Sequence, residues 1–185
     1  MSDPAVVAAR QGRRFRGPTG APMTVKIDSS ATGGAYSLIE YSHSPHAPGP
    51  PPHVHKHHEE AFRVLEGELS LDVGARTLTL SAEEYAVVPR GEIHRPYSAG
   101  AVECRFLFIT SPALDGFFAE MAELNAATNG HSPTAALEEL GARWDCVFSE
   151  LPEAGDAVTR MVNETPRPDP GRHRSENAPG TSGPL

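Results

Sequence analysis

Four of the chain's nine histidines fall within residues 51–62, PPHVHKHHEEAF. They are His53, His55, His57 and His58, and Glu59 and Glu60 follow directly. Imidazole nitrogens and carboxylate oxygens are ligands for first-row transition metals. The stretch therefore reads either as a metal site or as a polar, His-rich loop. Side-chain direction separates the six residues. In an extended strand, residues two apart point to the same face, so His53 and His55 project together. Pro50, Pro51 and Pro52 restrict the backbone just upstream. KHHEE is polar throughout and reads as a turn, which leaves His57, His58 and Glu59 solvated. Glu60 opens the next strand. Arg63 prefers solvent, so the opposite face, with Glu60, Phe62 and Val64, turns inward. A buried carboxylate without a partner is costly, and a metal shared with two imidazoles supplies one.

A fourth donor lies downstream, in YAVVPRGEIHRPY. Pro89 and Gly91 form a turn there, and His94 stands three residues past the glycine. Such a turn aims an imidazole back toward the first two. His53, His55, Glu60 and His94 then make a set of three nitrogens and one carboxylate. That set suits divalent Fe, Mn, Ni, Co, Cu or Zn without choosing among them. It leaves positions open for water, dioxygen or substrate. A purely structural zinc site is usually closed and thiolate-rich, and this one is neither.

The elements that must hold these residues are short strands. MTVKI and AYSLIEY are β-rich, with an SSATGG turn between them. EAFRVLEGELSLDV breaks at Gly67. RTLTL pairs with the segment before it across Val73, Gly74 and Ala75. YAVVP and VECRFLFI complete the series. Regular strands with breakers between them predict a sandwich or small barrel over residues 21–110. SHSPHAPG reads as a loop over the barrel mouth, with His43 and His46 as candidate substrate contacts or proton shuttles.

At Ser111 the period changes. SPALDGFFAEMAEL offers Ser111 as an N-cap and Pro112 at the first helical position. Leu114, Phe117, Phe118, Met121 and Leu124 recur at helical spacing, as a face packed on the barrel. SPTAALEEL predicts a second helix, with Ser132 as N-cap followed by Pro133. Residues 111–162 are thus a helical extension. Residues 1–20 are polar and rich in breakers, and read as a flexible lead. Residues 163–185, with His173, hold almost no apolar side chain and are expected to be disordered. His131 is expected in a loop.

The length suits one domain with a real core. Two cysteines, Cys104 and Cys146, fit no disulfide framework or redox pair and read as buried thiols. A net charge of -8 argues against non-specific nucleic-acid binding. No apolar run approaches the ~20 residues a membrane helix needs. The expectation is a soluble, cytoplasmic protein with a small-molecule partner. An unpaired sheet edge makes a homodimer plausible.

The site residues resemble the two motifs of the cupin family. The first, G-x5-H-x-H-x(3,4)-E-x6-G, fits His53, His55, Glu60 and Gly67. The six-residue count to Gly67 selects Glu60 over Glu59. The second, G-x5-P-x-G-x2-H-x3-N, fits Pro89, Gly91 and His94. Ala47 and Glu83 replace the opening glycines, although Gly49 is close to the first. Ser98 replaces the terminal asparagine. These departures touch turns and spare every ligand. The resemblance covers about residues 47–98 and implies an all-β double-stranded β-helix, or jelly-roll barrel, with short C-terminal α-helices.

One such domain followed by this helix is similar to bacterial quercetinase-like cupins. That likeness implies a dioxygenase acting on a flavonol or related aromatic or enolic substrate, with Glu60 as both ligand and catalytic base and Phe62 in the pocket wall. Small cupins also resemble polyketide cyclases, isomerases and lyases, which work without redox chemistry. A binding module without turnover is the third reading.

Overall fold

The alternating residues of the sequence build two antiparallel sheets. The computed structural model describes residues 6–9, 11–17, 20–129 and 131–151. Its elements are β1 (Arg13–Arg16), β2 (Pro22–Ile27), a one-turn α1 (Ser29–Thr32), β3 (Ser37–His43), β4 (His53–Val54), β5 (Glu59–Glu66) and β6 (Glu68–Val73). There follow β7 (Arg76–Ser81), β8 (Tyr85–Val88), β9 (His94–Tyr97), β10 (Cys104–Ser111), α2 (Asp115–Ala127), α3 (Thr134–Arg143) and β11 (Val147–Phe148). One sheet has the order β1-β2-β3-β10-β5-β8, and the other β11-β4-β9-β6-β7. This is the expected jelly-roll barrel with short C-terminal helices.

Period two decides which residues fill the space between the sheets. Ile39, Tyr41 and His43 on β3, Phe62 and Val64 on β5, and Phe106 and Phe108 on β10 are all buried. Phe106 lies opposite Tyr41 and Val64, and Phe108 lies opposite Ile39 and Phe62. Burying one such side chain contributes roughly 1.5–3 kcal/mol, so these few dominate the core. Arg63 points outward and Glu60 inward, as the alternation predicts. Both cysteines are free and buried. Burial pushes the Cys104 thiol up to about 11, which makes it unreactive.

The structure corrects several expected boundaries. The lead 1–20 contains β1, which pairs with β2 from Arg13↔Val25 to Arg16↔Pro22. Ser111 does not cap α2. It is committed to the sheet, opposite Glu59, and its hydroxyl donates to the Ala35 carbonyl. The helix starts at Asp115, whose carboxylate accepts from Ser29 N and Arg13. Ser132 does not cap α3, because its hydroxyl donates to Asn125 Oδ1. Pro133 takes the N-cap position. The extension also returns to the barrel as β11, pairing with β4. Residues 152–185, including the tail 163–185 and His173, lie outside the described residues. Among the described residues no helix is long and apolar enough to cross a membrane.

Candidate metal centre

The four candidate ligands come from both sheets. His53 on β4 lies directly opposite His94 on β9, within the five-stranded sheet. Glu60 is the second residue of β5, which begins one residue earlier than expected, at Glu59. In the six-stranded sheet Glu60 lies opposite Val88 and Thr110. β4 ends at Val54, so His55 stands just beyond it and not within a longer strand. It still faces inward, because Gly91 N in the following turn donates to its carbonyl at 2.7 Å. That bond ties the two ligand-bearing stretches together. Gly49, two residues past the position where the family motif has glycine, has φ +70, and a Cβ there would overlap the Pro96 carbonyl oxygen. The backbone entering β4 thus passes against β9 at a place where only glycine fits.

His53, His55, Glu60 and His94 are all buried, and they can bring one donor atom each within 4.8 Å of one another. The three imidazoles are oriented alike. Nδ1 of His53 contacts the Pro51 carbonyl at 3.0 Å, Nδ1 of His94 the Glu92 carbonyl at 3.0 Å, and Nδ1 of His55 the Asp145 carbonyl at 2.6 Å. A carbonyl oxygen only accepts, so Nδ1 carries the proton in each ring. In the neutral imidazole this leaves Nε2 as a lone pair. His94 Nε2 lies 3.1 Å from Glu60 Oε2, and His55 Nε2 lies 3.5 Å from Glu60 Oε1. Three lone pairs and a carboxylate therefore converge, and all are acceptors. Only a cation between them satisfies such a set, whether a proton or a metal ion. The donor atoms, their orientation and their burial fit a divalent transition metal.

The electrostatics reflect the same crowding. Burial pushes the Glu60 carboxyl up, but hydrogen bonds and charge from His55 and His94 outweigh it, holding the group well below the usual range. His53 falls to about 3, first through burial and then through its neighbour His94. His55 is pushed down by burial and raised overall by its contact with Glu60.

In the rest of the His-rich stretch His57 and Glu59 are exposed as expected, but His58 is not solvated. Glu59 is exposed and pairs with Arg90 at 3.3 Å. His57 is exposed, and His58 is half-buried. Both are held by Asp145, a residue the sequence reading does not single out. His131 is exposed. The two loop histidines separate. His46 is exposed, with Nδ1 on the Ala99 carbonyl. His43 is not in a loop. It ends β3 on the inner face, packed edge-on against Tyr41 and Phe106. Those two rings line the cavity beside the tetrad, but His43 itself does not, and it is not among the four clustered ligands. The alternation Ile39, Tyr41, His43 carries that signal in the sequence.

The tetrad opens onto a cavity of about 500 Å³. His53, His55 and Glu60 lie in its wall, with Phe62 as expected. Leu114, Phe117, Phe118 and Met121 also line it, so the helical stripe serves the cavity as well as packing on the barrel. Asn125, Thr134 and Glu138 from the two helices and Ser132 from the loop between them add polar groups. Among the described residues, none in this wall is lysine or arginine.

Comparison with known proteins places this arrangement. The family profile described as "Cupin domain" matches residues 40–110. These residues are a cupin domain. One curated relative, oxidoreductase OpS7 of Beauveria bassiana, is 40% identical over 48 residues. Those residues are 25% of this chain, and the chain covers only 16% of that protein. KdgF from Halomonas sp. superposes with a TM-score of 0.52 at 14% identity, over 60% of this chain and 94% of that one. A predicted oxalate decarboxylase from Thermotoga maritima gives 0.53 at 18% identity, over 58% and 99%. At these identities the two structures show the cupin fold alone.

Proposed function

We propose that the chain is a metal-dependent cupin enzyme, a dioxygenase acting on a small aromatic or enolic substrate. The observation that carries this reading is the pairing of the acceptor-only tetrad with an aromatic, cation-free cavity. His53, His55, Glu60 and His94 would hold the ion. When bound, a divalent transition metal supplies Lewis acidity and, for redox-active ions, reactivity toward dioxygen. The cavity has the size of a drug-like ligand and the apolar wall of a small-molecule site. Phe62, Phe117 and Phe118 offer rings against which a flat substrate can lie. A small polyanion finds no lysine or arginine in the wall, which speaks for an uncharged aromatic body.

Glu60 is ionised and lies at the cavity wall, so it can accept a proton from a substrate hydroxyl. The two imidazoles depress its basicity, so that hydroxyl must itself be acidic, as an enol or flavonol hydroxyl is. The short likeness to a protein named an oxidoreductase agrees with redox chemistry. Oxygen uptake with flavonols and related enols tests the proposal. Consumption of dioxygen in step with substrate loss is the expected result. Turnover that continues unchanged under strict anaerobiosis would replace it with the non-redox cyclase, isomerase or lyase reading.

A further inference from the structure

We propose that Asp145 is a positioning residue for the metal centre, acting through His55. The inference rests on the metal reading above. Four donors from four consecutive residues end on this one side chain and its carbonyl. His55 Nδ1 donates to the Asp145 carbonyl at 2.6 Å. Lys56 N donates to Oδ1 at 3.0 Å, His57 N to Oδ2 at 2.6 Å, and His58 Nδ1 to Oδ2 at 2.9 Å. Asp145 is not in the cavity wall, so it is no substrate contact.

The three histidines of the tetrad are anchored in different ways. His53 and His94 each lean on a carbonyl two residues upstream, at Pro51 and Glu92. Those anchors come with the strand itself. His55 alone takes its anchor from a segment 90 residues away. A hydrogen bond on the second ring nitrogen fixes both the tautomer and the direction of a ligating imidazole. The direction of His55 therefore depends on where the extension holds Asp145.

The extension is itself fixed. Val147 and Phe148 pair with Val54 and His53, and Ser149 N donates to the Pro52 carbonyl at 3.0 Å. Cys146 N donates to the Gly141 carbonyl at 2.8 Å, which ties the segment to the end of α3. Asp145 has φ +56, in the left-handed region that Asp and Asn enter more readily than other L residues. Its carboxylate closes the turn 56–58 while its carbonyl orients His55. The sequence marks this residue with no motif, because its partners are far away along the chain.

Co(II) titration followed by visible absorption tests the role, using wild type, Asp145→Gly, Asp145→Asn and His94→Ala. Glycine suits φ +56 and keeps the backbone carbonyl, so a merely conformational role predicts binding as good as wild type. In the positioning role the carboxylate, by clamping residues 56–58, holds that carbonyl against His55 Nδ1. Losing the clamp should then lower Co(II) affinity about 10–100-fold in Asp145→Gly, the range for a displaced outer-shell partner. The thermal midpoint of the metal-free variant should stay near that of wild type. Asp145→Asn keeps one acceptor oxygen and should fall between. Binding by Asp145→Gly within roughly two-fold of wild type, outside the outer-shell range, overturns the proposal. If Asp145→Gly does not fold, Asp145→Asn decides. Unchanged affinity, with unchanged His55 ring-nitrogen shifts in the metal-free protein by NMR, overturns it equally. His94→Ala separates the two layers of the argument. If it takes up Co(II) as wild type does, the metal centre is wrong and the Asp145 role falls with it.

Discussion

Glu60 is the single carboxylate among the four candidate ligands, and its charge is what three imidazole lone pairs lack. Glu60→Gln keeps the shape and removes the charge. Metal affinity should fall by more than the ~10–100-fold typical of an outer-shell change. Calorimetric titration with Mn(II) or Co(II) measures it, and wild-type affinity in that variant would show Glu60 is not a ligand. His43 makes a different prediction, about stability. Among the described residues neither ring nitrogen has a hydrogen-bond partner. Burial lowers its pKa from 6.5 to about 4. Between those values the unfolded chain binds more protons than the folded one, so stability rises with pH. The stability is complete above about pH 6.5 and is lost as pH falls toward 4, by about 2 kcal/mol at pH 5. His43→Leu removes the titrating group and leaves an apolar side chain in an apolar place. Urea unfolding at pH 7 and pH 5 should show this variant gaining on wild type as pH drops. A difference that does not change with pH would rule out a neutral, buried His43. At this scale the tetrad was legible, since period two and the turn at Gly91 point to it. Asp145 was not, because nothing local marks a residue whose partners lie 87 to 90 positions away.

At the scale of elements, the strands were legible and their terminations were not. Inner-facing alternation placed Glu60, Phe62 and Val64 correctly, because one misplaced residue would flip every side chain to the wrong face. Helix starts were misjudged where a serine had a tertiary partner. Ser111 bonds to Ala35, far away in sequence, and Ser132 reaches back to Asn125 and Thr128 at the end of the preceding helix, so neither hydroxyl turns to the helix that follows it. The turns explain why the motif departures are tolerated. Glu83 occupies φ +71 where the family motif has glycine, and its carboxylate pairs with Arg63. Ala47 is harmless because Gly49 makes the close approach. Gly49 and Gly91 test this reading, having similar φ values of +70 and +82. A Cβ at Gly91 meets nothing within 4 Å, whereas one at Gly49 collides with the Pro96 carbonyl. Gly91→Ala should therefore cost only the left-handed strain, about 1–2 kcal/mol. Gly49→Ala carries the same strain plus a backbone displacement beside the tetrad. It should lose more stability, and metal affinity as well. Denaturant melts of the two variants compare them directly, and equal losses would mean the backbone yields at Gly49.

The whole molecule joins two sheets and a C-terminal extension around one cavity. The extension supplies Leu114, Phe117 and Met121 to the wall and β11 to the sheet that carries His53. β8 is the outer strand of its sheet, and Tyr85 and Val87 on it are 69% and 62% exposed. A homodimer would bury this edge, so Val87→Lys should convert a dimer to a monomer in light scattering. A wild-type protein that is already monomeric discards that assembly. The tetrad has a further consequence at this scale. His53 and His94 belong to one sheet and Glu60 to the other, so an ion held by all of them cross-links the barrel through its interior. The unfolded chain has no such set, and a ligand that binds only the folded state stabilises it by mass action. Free metal at about a hundred times its Kd contributes ~2.7 kcal/mol. For a chain of this size that raises Tm by roughly 5–10 °C. A chelator should reverse the shift, and in His94→Ala metal should no longer raise the midpoint, wherever the metal-free midpoint of that variant lies. Calorimetric scans with and without Mn(II) read the effect. A wild-type Tm indifferent to both metal and chelator would mean that protons, not a metal ion, lie among the three imidazoles and Glu60.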